Sequence, residues 1–310
     1  MVAGAAEAGE RVFSGSAGPA ARPWHWTHLK RSARTEQAVR ADHGLPGEIA
    51  DALLERDTLP RAMVIDGHTL VILRAINKTH GAEPEDMISL RLAITEDAVL
   101  SIEGRRMPQL DRLIERFRTD PPATPSAFLA GLVAMLRADA EPVLDELEAD
   151  IAELERRLVA STKGLTAEER ARLIDARQDA IQLHRYIAPQ AMAMDALLTL
   201  KPHWLGDRRR FKGEAAAFRR IAADLETLRG RAQLVAEEAS MNVTERTNRI
   251  MLTLSAVSVV FLPITALTGL LGVNLAGIPF AEQPWAFALF CALLAVVAGL
   301  GVAIAWRLMR

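Results

Sequence analysis

At 310 residues with a formal net charge of −2, the chain has material for one or two domains and lacks the basic excess that marks nucleic-acid binders. Its single cysteine, Cys291, excludes an internal disulfide framework and any cysteine-built zinc finger. Half of the residues are apolar, but the region after residue 250 is far richer in them than the rest, so whole-chain averages describe neither part.

Residues 1–21 are rich in Ala, Gly and Ser and have no basic start followed by an apolar run, so they read as a disordered tail rather than a secretory signal. Residues 22–120 read as a mixed α/β (α+β) cytoplasmic domain. Arg61 to Asp66 and His68 to Ile76 flank Asp66-Gly67, a two-residue hairpin signal. Ile88, Leu90, Leu92 and Ile94 alternate with Ser89, Arg91 and Ala93, the pattern of a half-buried strand, and Val99 to Ile102 can return beside it. Pro46 to Arg56 and Pro108 to Arg118 read as helices opened by proline.

Pro121, Pro122 and Pro125 mark a boundary, after which residues 121–249 read as a helical stalk. Ala127 to Ala160 is predicted as one helix. Thr166 to about Trp204 is predicted as a second, with Thr166 and Glu169 forming a capping box. Arg208, Arg209 and Arg210 read as an exposed loop. From about Gly213 a third helix is predicted to run without a break into the apolar region, roughly 90 Å in all. Phe218, Leu225, Ala232 and Ala239, with Ile221, Leu228 and Val235, repeat every seven residues. That seam can pack on helices of its own chain or on those of other copies.

Ile250 to Val273 carries no charged side chain and reaches roughly 36 Å as a helix, enough to cross a bilayer core of about 30 Å. Trp285 to Trp306 is a second such stretch, with tryptophan at both ends as in an interfacial belt. The predicted order is transmembrane helix 250–273, outer loop 274–284, transmembrane helix 285–306 and a short tail 307–310. Arg246, Arg249, Arg307 and Arg310 flank the spans, whereas the loop holds Glu282 and no Lys or Arg, so both termini are predicted on the cytoplasmic side of the inner membrane.

Two spans are too few to enclose a polar path, so a pore requires a homo-oligomer. In the first span Asn248, Met251, Ser255, Ser258, Leu262, Thr265 and Gly269 follow three- and four-residue spacing and form one stripe of smaller or more polar residues. In the same stripe Ser and Thr can instead merely bond back to their own helix, and the small residues can merely pack helices. At its end stands Gly272-Val273-Asn274, with Pro263 upstream in the span.

These residues resemble the CorA superfamily of divalent-cation transporters, whose signature at this place is Gly-Met-Asn. Valine replaces the methionine here, and the run from Leu262 through Gly272-Val273-Asn274 to Gly277-Ile278-Pro279 looks most like the zinc-associated ZntB branch. The specific match runs from Asn242 to Pro279; the rest agrees in architecture. The resemblance implies a CorA-like funnel, a homopentamer with the long helix along its axis. Asn274 would shape the outer mouth, Asn248 would form a polar ring at the cytoplasmic end, and Leu262 would be an apolar constriction. Glu237 falls where magnesium members carry an acidic regulatory residue.

Rings of neutral oxygens can hold a hydrated cation loosely enough to release it. Magnesium dehydrates reluctantly, while zinc prefers His and Cys, which the stripe lacks, so zinc too would pass with its hydration shell. Asn274 and Asn248 would then meet the metal through water, and no bound cofactor is expected. The predicted activity is divalent-cation transport, most specifically zinc uptake. A magnesium, cobalt or nickel channel of the same superfamily and a membrane-tethered sensor or scaffold stand as alternatives. The acidic run Glu141 to Glu155 can concentrate cations or be a solvated face. His25 and His28, three apart in a strand, fall on opposite faces. No Walker loop, dinucleotide fingerprint or nucleophile elbow is present, so the chain does not read as an enzyme.

Overall fold

The computed structural model describes residues 11–15, 23–41, 44–56, 58–77, 87–161, 164–206, 208–272 and 283–308. The chain divides into two units, Met1–Ser161 with Leu165–Ala236, and Thr162–Gly164 with Glu237–Arg310.

In the first unit, strands β1 (Arg11–Gly15), β2 (Trp24–Lys30), β3 (Arg61–Ile65), β4 (His68–Ala75), β5 (Ile88–Ile94) and β6 (Ala98–Glu103) form one sheet in the order β1-β2-β6-β5-β4-β3. Every pairing is antiparallel except β2 with β6. The parallel step needs a long crossover, and α1 (Ala33–Ala41), α2 (Gly47–Leu54) and strands β3 to β5 lie within it. Asp66 and Gly67 close the β3–β4 hairpin with positive φ values of 47° and 79°, the combination that a twist-matched two-residue turn requires.

Helices cover both faces of the sheet. On one, Ile49, Leu53 and Leu54 of α2 and Val39 of α1 pack on Leu70, Ile72, Ala93 and Ile102. On the other, Trp24 and Trp26 of β2 meet Phe117 of α3 (Pro108–Thr119) and Phe128 of α4 (Pro125–Ala160), with ring centroids 4.8–5.8 Å apart. Strand β5 is therefore buried along its whole length, not half-buried as its alternation predicts. Its polar side lies under α2. Arg91, only 1% exposed, donates to the carbonyls of Glu55 and Arg56, and Arg31 donates to those of Leu54 and Glu55. The two guanidiniums thus satisfy the open carbonyl end of α2, where a cation also suits the helix dipole. Burial, then Arg31 and Arg74, lower the Arg91 guanidinium to about 10, so it stays charged at neutral pH.

Arg11–Gly15, expected within a disordered tail, forms the edge strand β1, held by backbone pairing with β2 from Arg11–His28 to Gly15–Trp24. The remainder of that predicted tail, residues 1–10 and 16–21, lies outside the described residues.

Helix α4 begins at Pro125, with Thr124 accepting from the Ala127 backbone N–H. Helix α5 (Ala167–Leu200) carries the full capping box of Thr166 and Glu169. It stops four positions short of the predicted Trp204, because Lys201 takes a left-handed conformation ahead of Pro202. Arg209 and Arg210, expected in a loop, are exposed residues in the first turn of α6 (Arg209–Leu271).

The 63-residue α6 carries the predicted seam. Phe218, Ile221, Leu225, Leu228, Ala232 and Val235 are all buried within the single chain, which settles the seam's partner as the chain itself. Ion pairs flank it: Arg219 with Asp195 of α5, Arg137 of α4 with Glu214 (2.8 Å), and Arg231 with Glu155 of α4 (2.6 Å).

Candidate functional site

The second unit holds the end of α6 and helix α7 (Ala286–Leu308), both long and apolar enough to cross a membrane. The half-covered residues of α6 in this region are Ala256, Val260, Ile264 and Leu267. On α7, Phe290, Leu294, Val297 and Ala298 are half-covered, while Gly301 and Ala305 are buried. Both sets follow three- and four-residue spacing, the mark of a helix-packing face.

The contact is closest at Gly301, where an added Cβ would lie 3.2 Å from Val260 Cα and 3.5 Å from Val259 O. Pro263 explains that carbonyl. Proline has no N–H, so the oxygen four residues earlier, on Val259, loses its helical donor. A residue without a side chain can approach it and offer a weak Cα–H contact in place of the lost bond. Proline on α6 and glycine on α7 therefore form one joint. Sequence reading placed Pro263 and passed over Gly301. The signal available was weak, since Gly301 and Ala305 stand four apart in a helix already rich in alanine and glycine.

The predicted stripe lies on the other side of α6. Counted at about 100° per residue from Val260, Met251, Ser255, Ser258, Leu262, Thr265 and Gly269 fall roughly 140–180° round the helix, and Asn248 about 120°. All seven are exposed in the single chain, as is Glu237, which falls on the same side. The packing alternative weighed for the stripe thus belongs, within this chain, to a different face.

Two of its three hydroxyls, those of Ser258 and Thr265, are oriented by the helix. Ser258 Oγ donates to Leu254 O and Thr265 Oγ1 to Phe261 O, both at 2.9 Å. This back-bonding is what the non-pore alternative for the stripe expects, and it leaves the Ser258 and Thr265 oxygens with lone pairs free to accept. An acceptor row without charge suits the water shell of a cation. The helix closes where Gly272 N donates to Thr268 O at 2.9 Å. Gly272 is the one residue of the Gly272-Val273-Asn274 signature that is described; Val273 and Asn274 lie outside the described residues.

The acidic run of α4 is mostly occupied. Glu141 pairs with Arg137, Glu148 and Glu155 with Arg231, Asp150 with Arg172, and Glu153 with Arg156 and Arg157. Arginines meet most of these carboxylates, some within α4 itself and three, Glu148, Asp150 and Glu155, from α5 or α6. His25 is exposed while His28 is buried against Ser101 Oγ (2.9 Å) and Glu103 (3.6 Å), so the two do not converge. Among the described residues no group of three or more His, Cys, Asp or Glu is placed to hold a metal ion.

A mixed sheet with helices on both faces, one very long helix and an apolar hairpin bearing an uncharged oxygen stripe are the parts of a two-span membrane transporter. The chain belongs to the CorA-like Mg2+ transporter family, whose profile, described as "CorA-like Mg2+ transporter protein", matches residues 23–310. It is 30% identical over 269 residues to the zinc transport protein ZntB of Pectobacterium carotovorum subsp. carotovorum (strain PC1), a match covering 86% of this chain and 80% of that protein. It is 31% identical over 278 residues to the divalent cation transporter CmaX of Pseudomonas aeruginosa, covering 88% of this chain and 83% of CmaX. The structure of full-length CmaX matches with a TM-score of 0.81 at 28% identity over 97% of each chain. The CorA-like fold that the sequence implies, an α/β domain followed by a helical stalk and two C-terminal apolar helices, is borne out.

Proposed function

We propose that the chain transports divalent cations, zinc by preference, through a homopentameric pore in the inner membrane, with both termini in the cytoplasm. The observation that carries this reading is the exposed stripe from Asn248 to Gly269, on the side of α6 away from the face packed on α7. Hydroxyls and the Asn248 amide gathered on one line away from the packing face favour a polar neighbour there over lipid. Copies of the same line around an axis supply it as a wet path. In this reading Asn248, Met251, Ser255, Ser258, Leu262, Thr265, Gly269 and Gly272 line the path, Val273 and Asn274 shape its outer mouth, and Glu237 lies on its inward approach. Residues 22–120 and 121–249 form the cytoplasmic domain and stalk, 250–273 and 285–306 the spans, 274–284 the outer loop and 307–310 the inner tail. The relatives named as zinc and divalent-cation transporters support the cargo.

A stripe of acceptors without His or Cys favours a hydrated ion, which keeps magnesium, cobalt and nickel as the second reading. Flux into proteoliposomes tests both. Zinc uptake is expected to fall steeply when Asn274 is replaced by Ala, and unchanged uptake would defeat the pore assignment. Competition among zinc, nickel, cobalt and magnesium for one flux ranks the cargo. The mass of the detergent-solubilised complex is expected to correspond to five copies; a monomer would leave only a membrane tether.

A further inference from the structure

The inner end of the hairpin carries an unused set of charges. Because Gly301 lies at Val260, α6 and α7 run antiparallel, and a residue six beyond Gly301 stands level with one six before Val260. Helix α7 therefore ends at about the level of residue 253, while α6 continues. Further along α6, Gly164 comes against Asn242, with an added Cβ 3.6 Å from Asn242 Cβ. Asn242 lies about five full turns from Val260, on the same face. Between these two covers, roughly 16 Å of α6 is left open on the side that α7 covers higher up. Arg246 and Arg249 stand in that gap, within about 40° of the Val260 line, and both are exposed. Arg307 of α7, also exposed, overhangs it, roughly 8 Å from Arg249 along the axis.

Among the described residues none of these three guanidiniums is ion-paired, whereas Arg137, Arg157, Arg172, Arg219 and Arg231 of the first unit all are. Glu245, exposed beside Arg246, is the nearest acidic neighbour in sequence and leaves the set net positive. Arg246 lies about 160° round the helix from Asn248 and Arg249 about 100°, so neither aims at the oxygen stripe, where a fixed cation would repel the cargo.

We propose that this gap binds the phosphodiester headgroup of an anionic phospholipid of the inner leaflet. The proposal rests on the membrane-crossing reading of the hairpin. Guanidiniums match phosphate oxygens bidentately, and at this depth the only abundant phosphate is the lipid's. Basic groups beside an anionic leaflet each add to the attraction. The apolar flank of α7 above the gap then receives the acyl chains.

The test is thermal unfolding of the full chain in neutral detergent, titrated with short-chain phosphatidylglycerol, short-chain phosphatidylcholine or inorganic phosphate. Phosphatidylglycerol is expected to raise the midpoint and the other two to leave it unchanged. The double variant R246Q/R249Q is expected to lose that shift, and R246K/R249K to keep most of it. An equal shift with phosphatidylcholine, a shift with phosphate alone, or a full shift in R246Q/R249Q overturns the proposal. If R246Q/R249Q does not fold, R307Q must weaken the shift or the proposal falls. No ion flux enters the readout, so failure here and failure of the transport reading are distinguishable; a chain recovered from the soluble fraction would fail both.

Discussion

Helix α6 is one continuous helix with two kinds of face. From Phe218 to Val235 its seven-residue seam is buried against its own chain, and ion pairs guard its edges. From Met251 to Gly269 a line of similar spacing stays exposed, and its polar atoms bond only within the helix. Periodicity alone cannot separate these two cases. What separates them is side-chain type: the seam that closes is apolar throughout, from Phe218 to Val235, whereas the open line mixes Ser, Thr and Gly with Met251 and Leu262.

The sharpest way to break this contrast is to hollow the closed seam. F218A removes a fully buried ring and is expected to lower the stability of the first unit by about 3–5 kcal/mol, read by thermal or denaturant unfolding. L262A removes an exposed side chain of the open line and is expected to leave that unfolding unchanged. On the proposed pore reading it is also expected to raise resting cation leak in proteoliposomes, because the proposed apolar constriction would be widened. A loss of stability in L262A equal to that of F218A would mean that the open line is another closed seam.

Next in size is the Pro263–Gly301 joint. G301A puts a methyl group 3.2 Å from the Val260 backbone, which cannot move aside like a flexible side chain. Overpacking of this kind costs about 1–3 kcal/mol, expected as a lower midpoint for the detergent-solubilised protein. Gly299, two positions away on the same helix, has open space where a Cβ would stand, so G299A is the matched control and is expected to be silent.

Smaller still is the Arg231 bridge between α6 and α4. R231A is expected to cost about 0–1 kcal/mol, and less in high salt, because the pair is partly solvated. The smallest effect is a pH dependence. The Thr166 backbone N–H, then Arg157, hold the Glu169 carboxyl at about 2. A carboxylate depressed on folding stabilises fully above its unfolded value and loses that contribution as pH falls through about 2. Protection of the first-turn amides of α5 against hydrogen exchange, taken relative to the intrinsic rate at each pH, is therefore expected to hold at pH 5 and fall toward pH 2. E169Q is expected to flatten that dependence.

Features encoded within a few residues were legible in the sequence. Asp66-Gly67 gave its turn, Thr166 with Glu169 its cap, Pro108 its helix start, and the repeat from Phe218 its seam. The stripe was legible for the same reason, since a single helix keeps its own register. Features that depend on distant partners were not. Arg91 in β5 looks like a solvent-facing residue until α2 is folded over it. The acidic run of α4 looks unbalanced until Arg231, 76 positions away from Glu155, is brought beside it. Strand β1 owes its state to backbone pairing with β2, which composition does not record. Gly301 matters because the backbone of another helix, at Val259 and Val260, comes against it.

The arginines along α4 have a bearing on how the protein meets the ions it handles. A divalent cation reaching Glu155 or Glu153 would have to displace a guanidinium already bonded at 2.6 Å. Because such solvated pairs are individually weak, that displacement costs little, and rising ionic strength loosens the lashing between these helices before it touches their buried seam.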